Sequence, residues 1–220
     1  MAGKLLRGLL LGLLRSIFEA IVYRGSQPAH FEVERKFQLE ESEVNEVIDT
    51  LRAQGFSPAG VVIMTDTFLP PPSKGDMFRV RDETIGSATH TVFTRKTWVK
   101  TADGGRERRE AELEVSQMLR TIILLCGRLL CGELASFVKE RRLYENLVDG
   151  LDVVVCVDEV KGLGSYSGSY LEVEVMVPPG GDTATARDVI LQVATKLFGG
   201  ERSDVGRSYQ EMLSLHRQGK

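Results

Sequence analysis

Glu32, Glu34 and Lys36 stand at every second position of Phe31-Glu32-Val33-Glu34-Arg35-Lys36-Phe37. In an extended strand that spacing puts them on one face, with Phe31, Val33 and Phe37 on the other. Two carboxylates beside an ammonium group can hold a hard divalent cation and an anionic oxygen side by side. The same alternation recurs downstream. It collects Arg79 and Arg81, then Lys96, then Arg106, Arg108, Glu110, Glu112 and Glu114, then Lys139 and Arg141, then Asp158, and finally Glu172 and Glu174. Guanidinium groups donate in pairs to phosphate oxygens, and lysine supplies a point charge. Carboxylates concentrated on the first and last strands suit a cation that keeps waters and bridges to phosphate. The chemistry implied is the binding of a linear di- or triphosphate chelated by magnesium or manganese.

These residues need a scaffold that turns them toward one another. The intervening positions are apolar, among them Val33, Phe37, Phe78, Val80, Phe93, Leu113, Val138, Val173, Val175 and Val177. An open sheet with one wet face would explain any single strand. Across the whole set the apolar face needs covering, and helical segments lie between the strands to cover it. Helical spacing marks 40–54, a long and largely buried helix is expected over 116–133, and further helices over about 183–198 and 208–215. Strands are expected at Phe31–Phe37, 61–69, 76–82, 89–100, 106–115, 136–146, 151–159 and 169–177. The expected fold is α+β: a closed eight-stranded antiparallel β-barrel with a charged lumen and helices packed outside. Asp66, just before Pro70-Pro71-Pro72, reads equally as a turn residue at a strand end or as a functional one.

Composition narrows the partners. The 220 residues carry 28 basic and 31 acidic side chains, a net charge of −3, which is no footprint for nucleic acid. Cys126, Cys131 and Cys156 lack the Cys-x-x-Cys spacing of a metal knuckle, and their odd number argues against a disulfide framework. A reducing compartment is the simpler expectation. His30, His90 and His216 sit in unrelated contexts and are not expected to act as ligands or bases. Residues 1–30 form a separate basic amphipathic helix and linker, ahead of a folded domain over 31–220. In Lys4–Arg24 the side chains of Leu5, Leu6, Leu9, Leu13, Ile17 and Ile21 cluster on one face, opposite Lys4, Arg7, Arg15 and Glu19. The longest uncharged run, Gly8–Leu14, is too short to span a bilayer. Such a helix can rest on a membrane, serve as an organelle presequence, cover a partner or pack on its own domain.

With these residues on the page, the chain resembles the CYTH, or triphosphate tunnel metalloenzyme, superfamily. Glu32–Lys36 fits its Glu-x-Glu-x-Lys motif, and an ordered series follows: Phe78–Arg81, Lys96, Arg108–Glu112, Lys139–Arg141, Asp158 and Glu172–Glu174. Phe31–Phe37 and Ala135–Arg141 look most like thiamine triphosphatases, and the resemblance spans about residues 31 to 215. It implies an eight-stranded tunnel in which Glu32, Glu34, Asp158, Glu172 and Glu174 hold magnesium or manganese. Lys36, Arg79, Arg81, Lys96, Lys139 and Arg141 would bind phosphates, and Glu34, Lys96 and Asp158 would serve catalysis. The implied reaction is hydrolysis of the terminal phosphate of thiamine triphosphate or inorganic triphosphate. The alternatives are conversion of ATP to cyclic AMP, as in class IV adenylyl cyclases, and polyphosphate binding without turnover.

Two departures bear on the site. Arg207 stands before Ser208-Tyr209 where relatives carry Lys, which preserves phosphate binding but not acid–base chemistry. The segment Gly164–Tyr170 is longer than the usual link, which opens a register shift for Glu172 and Glu174. The expected protein is a cytoplasmic monomer acting on a small-molecule triphosphate, with no nucleic-acid partner. Residues 4–24 leave a mitochondrial or membrane-associated alternative.

Overall fold

The computed structural model describes residues 31–69, 77–100, 106–178 and 180–219 together with Gly12 and Ser16; at 98–100, 106–110 and 131 it describes the backbone alone. The N-terminal helix and linker expected over residues 1–30 otherwise lie outside the described residues, as do the side chains of Arg106, Arg108, Glu110 and Trp98.

Eight strands follow in chain order: β1 (Phe31–Leu39), β2 (Ser57–Leu69), β3 (Met77–Ile85), β4 (Ala88–Lys100), β5 (Arg106–Glu114), β6 (Ala135–Val148), β7 (Leu151–Lys161) and β8 (Gly168–Val177). Helix α1 (Glu43–Ala53) joins β1 to β2, α2 (Gln117–Cys131) joins β5 to β6, and α3 (Thr183–Phe198) and α4 (Tyr209–Arg217) follow β8. All neighbours are antiparallel, in the order β1-β5-β4-β3-β2-β6-β7-β8, with β8 paired to β1 along the length of β1. Local chemistry sets the tight turns. Asp149 and Gly150, with φ of 51° and 80°, make the two-residue β6–β7 connection. That conformation matches the twist of the strands it joins.

The remaining seam differs. Among the described residues β1 meets β5 through a single register pair, Phe31 with Arg109. The expected cylinder is therefore a strongly curled antiparallel sheet that touches itself at one point along this edge. Each strand is rotated against its neighbour, so β1, held to β8 throughout, leaves β5 after its first residue.

The outer face is covered in two places. Phe37, Val155, Val173 and Val175 pack beneath α1 and α3, against Leu51, Ile190 and Val193. Phe78, Val80 and Phe93 pack beneath α2, against Ile123 and Cys126. Burying each such side chain contributes roughly 1.5–3 kcal/mol. Three expectations need correction. Val138 faces outward but is 40% exposed. Helix α2 is not largely buried: Met118, Ile122, Leu125 and Leu129 face solvent. Strand β2 begins at Ser57, since a bulge between Pro58 and Gly60 lets pairing with β6 continue where local composition suggests a turn.

Candidate active site

The lumen is layered along its axis. At one end Phe68, Phe137 and Tyr170 pack under Tyr209, Met212 and Leu213 of α4, forming an apolar plug. The expectation of a wholly ionic interior holds only beyond this plug. There a cavity of about 480 Å³ is lined by the bases Lys36, Arg79, Arg81, Lys96, Lys139 and Arg141 and the acids Glu32, Glu34, Asp66, Glu112, Glu172 and Glu174. Alternation supplies the residues, and register brings them together. Glu34 lies opposite Glu174 and Lys36 opposite Glu172 across β1–β8, Arg141 opposite Asp158 across β6–β7, and Asp66 opposite Arg81 across β2–β3. The long link before β8 does not shift this register. Gly164–Tyr166 absorbs it as a 3₁₀ turn, and both glutamates of β8 face the lumen.

One group of carboxylates neutralises the buried bases. Asp158 is fully buried and accepts two bonds from Arg141, Nε to Oδ1 and Nη2 to Oδ2, each 2.7 Å. Its Oδ2 also accepts from Lys139 Nζ at 3.2 Å and from the Tyr209 hydroxyl at 3.0 Å. Burial alone would raise its pKa, but Arg141 and then Lys139 outweigh it and hold the carboxyl ionised. Glu172 behaves alike. It pairs with Lys36 at 2.8 Å and with Arg141, and these bases overcome burial to keep it well below the usual carboxylate range. Asp66 accepts two bonds from Arg81, at 2.6 and 2.9 Å, and lies 3.7 Å from Arg79. Burial opposes its ionisation, and Arg79 and Arg81 prevail.

A second group is arranged differently. Glu32, Glu34 and Glu174 each offer an oxygen within 4.8 Å of the others. Burial raises Glu174 to about 8; Arg141 offsets part of this, while Glu172, Glu32 and Glu34 add repulsion. Burial likewise raises Glu34, followed by Glu172 and Glu32. Three crowded carboxylates, of which Glu34 and Glu174 resist ionisation, form a donor set that a divalent cation would relieve by adding positive charge to that of Lys96, 2.8 Å from Glu32, and Arg141, 3.3 Å from Glu174.

The structure brings most expected residues to one cavity and separates a few. Glu32, Glu34, Lys36, Arg79, Arg81, Lys96, Lys139, Arg141, Glu172 and Glu174 all line it. Asp158 does not. It lies behind the lining with its oxygens committed to Arg141, Lys139 and Tyr209. Glu172 is likewise engaged by Lys36 and Arg141 and stands outside the clustered trio. Arg207 is exposed and does not line the cavity, because it ends the segment ahead of α4 and Ser208, its neighbour, caps that helix. Glu114 has the right parity but projects past the rim, where its side chain is 70% exposed beside His90.

The sequence leaves Asp66 open between two roles and gives no sign of a second residue. Asp66 is no turn residue; it is 1% exposed and anchors two arginines. Its signal was present, since it falls on the inward parity of β2 opposite Arg81. Tyr209 is the other. Lys36 Nζ lies 3.6 Å above its ring, and its hydroxyl reaches Asp158. It comes from a helix, so no strand alternation could have pointed to it.

The family model described as CYTH domain matches residues 30–209. The chain belongs to the CYTH domain family. Solved structures share its fold. The PH1819 protein from Pyrococcus horikoshii is 24% identical, with a TM-score of 0.63 over 85% of this chain and 100% of that one. An adenylate cyclase candidate from Vibrio parahaemolyticus is 17% identical, with a TM-score of 0.57 over 84% and 98%. The adenylyl cyclase candidate HpAC1 from Hippeastrum, described with a dominant triphosphatase activity, is 18% identical, with a TM-score of 0.55 over 87% and 96%. No curated protein matches the chain. No helix among the described residues is long and apolar enough to cross a membrane. Within this CYTH fold, the lumen described above is the place where chemistry can occur.

Proposed function

We propose that this CYTH domain protein is a divalent-cation-dependent hydrolase that removes the terminal phosphate of a small-molecule triphosphate. The observation that carries this reading is the division of the lumen: six bases converge on one cavity, and three clustered carboxylates stand beside them. With Glu174 raised to about 8, that carboxyl is largely protonated at neutral pH, which leaves the bases around it less completely countered. This state attracts a polyanion.

Glu32, Glu34 and Glu174 fit magnesium or manganese, both of which take oxygen donors and keep part of their water shell. Such a cation neutralises phosphate charge and acts as a Lewis acid on phosphoryl oxygens. The chain's own residues do the positioning. Arg79, Arg81 and Arg141 present fixed forks of donors, and Lys36, Lys96 and Lys139 supply point charges. Charge grows on the equatorial and leaving oxygens as water attacks the terminal phosphorus, and preformed donors stabilise it without reorganising. Asp158, Glu172 and Asp66 hold the guanidinium and ammonium groups in place beforehand. The apolar plug under α4 borders the cavity through Phe68, Phe137 and Tyr209.

The test is incubation with magnesium or manganese and tripolyphosphate, thiamine triphosphate or ATP, with orthophosphate, pyrophosphate and cyclic AMP measured. Orthophosphate release that needs the cation and is lost in Glu34→Gln supports the reading. Cyclic AMP with pyrophosphate from ATP assigns the tunnel to cyclisation. Tight tripolyphosphate binding with no product leaves a binding module and overturns the proposal.

A further inference from the structure

The outer face of α2 is built unlike the rest of the surface. Met118, Ile122, Leu125 and Leu129 follow at steps of three and four residues and so form one stripe, with exposures of 73%, 37%, 56% and 61%. The other side of the same helix is already core, where Ile123 and Cys126 pack on Phe78 and Phe93. An exposed apolar row on a helix that has no need of it for its own packing marks a covered surface.

The strands indicate what reaches it. Phe31 pairs with Arg109, and β1 and β5 are antiparallel. The chain upstream of Phe31 therefore arrives from the side toward which β5 runs, where Glu114 leads through Val115 and Ser116 into α2. That upstream chain carries its own apolar row, Leu9, Leu13, Ile17 and Ile21, and Gly12 and Ser16 within it are helical. At 1.5 Å per residue both rows, Leu9–Ile21 and Met118–Leu129, measure roughly 16–18 Å. The link from Gly25 to His30 reaches about 20 Å when extended, enough to turn the chain back.

We infer that residues 4–24 lie as a helix on α2, antiparallel to it, with Ile21 beside Met118 and Leu9 beside Leu129. Charge agrees with this direction. The side chains of Glu114 at one end of α2, beside His90, and Glu133 at the other, 3.9 Å from Arg217, are 70% and 90% exposed, and this arrangement would bring Arg24 and Arg7 respectively toward them. A second copy of the chain would leave the row of Leu9–Ile21 uncovered, and those glutamates would repel an anionic lipid surface. The chain's own N-terminal segment satisfies both rows at once.

Hydrogen exchange on the full chain tests the inference. Amides of 4–24 exchange at least about tenfold more slowly than in an unstructured peptide when they pack in this way. The double substitution Leu125→Ser, Leu129→Ser, at exposed positions, removes that protection while leaving the strand amides unchanged. A full chain carrying Leu13→Cys, Leu125→Cys and Cys131→Ser then forms an intramolecular disulfide on oxidation and stays monomeric on a non-reducing gel. A disulfide-linked dimer assigns the stripe to a second copy. Protection that appears only with anionic vesicles assigns the segment to a lipid surface. Either result, or exchange in 4–24 that stays fast under every condition, overturns the inference.

Discussion

Glu172 and Glu174 are the same residue type, two positions apart on β8, and both face the lumen, yet they occupy opposite electrostatic worlds. Glu172 lies opposite Lys36 and pairs with it and with Arg141, so it is held well below the usual carboxylate range. Glu174 lies opposite Glu34 and near Glu32, and burial with that repulsion raises it to about 8. A single step of the pleat separates an acid held between Lys36 and Arg141 from one that meets Arg141 at 3.3 Å and is crowded by Glu34 and Glu32. The order Glu34-Arg35-Lys36 on the facing strand decides which is which. Fold and family place acids in the tunnel; the cross-strand partner assigns their work.

The sharpest way to break this contrast is to remove each charge in turn. Glu172→Gln leaves Lys36 and Arg141 without a buried counter-charge and should cost about 3–5 kcal/mol in stability. Glu174→Gln removes a carboxyl that is largely protonated at neutral pH and should stay within about 1 kcal/mol of the parent. Urea unfolding without divalent cations, at neutral pH, measures both. Equal losses would mean that the two sites are not electrostatically distinct. If Glu174 is a cation ligand as proposed, the ranking should reverse in magnesium: Glu174→Gln should lose the stabilisation that magnesium gives the parent.

Titration sharpens the same contrast with a smaller effect. The folded state holds Glu174 protonated up to about 8, from an ordinary value of 4.5. Its contribution to stability is present below 4.5 and is lost as pH rises through about 8. Glu172 has the opposite sign, since its depressed pKa contributes stability above 4.5 that is lost as pH falls. On these two groups the cation-free protein should therefore be most stable near pH 4.5, losing stability toward pH 8 through Glu174 and toward acid through Glu172. Magnesium competes with the proton on Glu174, so its effect on Tm should grow by roughly 2–4 °C or more from about pH 6 to about pH 8.5. A shift of equal size at both pH values, or one that survives in Glu174→Gln, would remove Glu174 from the cation site.

How much of this could be read from residues alone follows from what alternation encodes. It sorts side chains between two faces, and so it gathered Glu32, Glu34, Lys36, Arg79, Arg81, Lys139, Arg141, Glu172 and Glu174 correctly on the inner one. It carries nothing about depth along the tunnel. Phe68, Phe137 and Tyr170 share that inner parity and form the plug, while Glu114 shares it and hangs beyond the rim. Nor does it give pairing. Asp158 has the parity of a ligand, but register sets it against Arg141, and its oxygens are spent there. Helix α2 misled for a related reason. Its apolar residues cover more of its circumference than the sheet can bury, and composition cannot say which of them meet the sheet.

Tyr209 allows the most delicate test, because it touches the cation-fixing network without carrying charge. Its hydroxyl donates to Asp158 Oδ2 at 3.0 Å, and its ring lies 3.6 Å beneath Lys36 Nζ and 5.2 Å from Lys139 Nζ. Tyr209→Phe removes the hydrogen bond and keeps the aromatic face, so the loss should be about 1 kcal/mol, since Arg141 still satisfies Asp158 from two sides. Tyr209→Leu removes both and opens space in the plug between Phe137 and Tyr170, and should cost about 3 kcal/mol. Denaturant unfolding of the two variants separates the hydroxyl from the ring. If Phe proves as damaging as Leu, the hydroxyl orders Asp158 and the cation–π contact is incidental. If the expected gap appears, the ring holds Lys36 toward Glu172, and the low pKa of that glutamate depends on a residue contributed by α4.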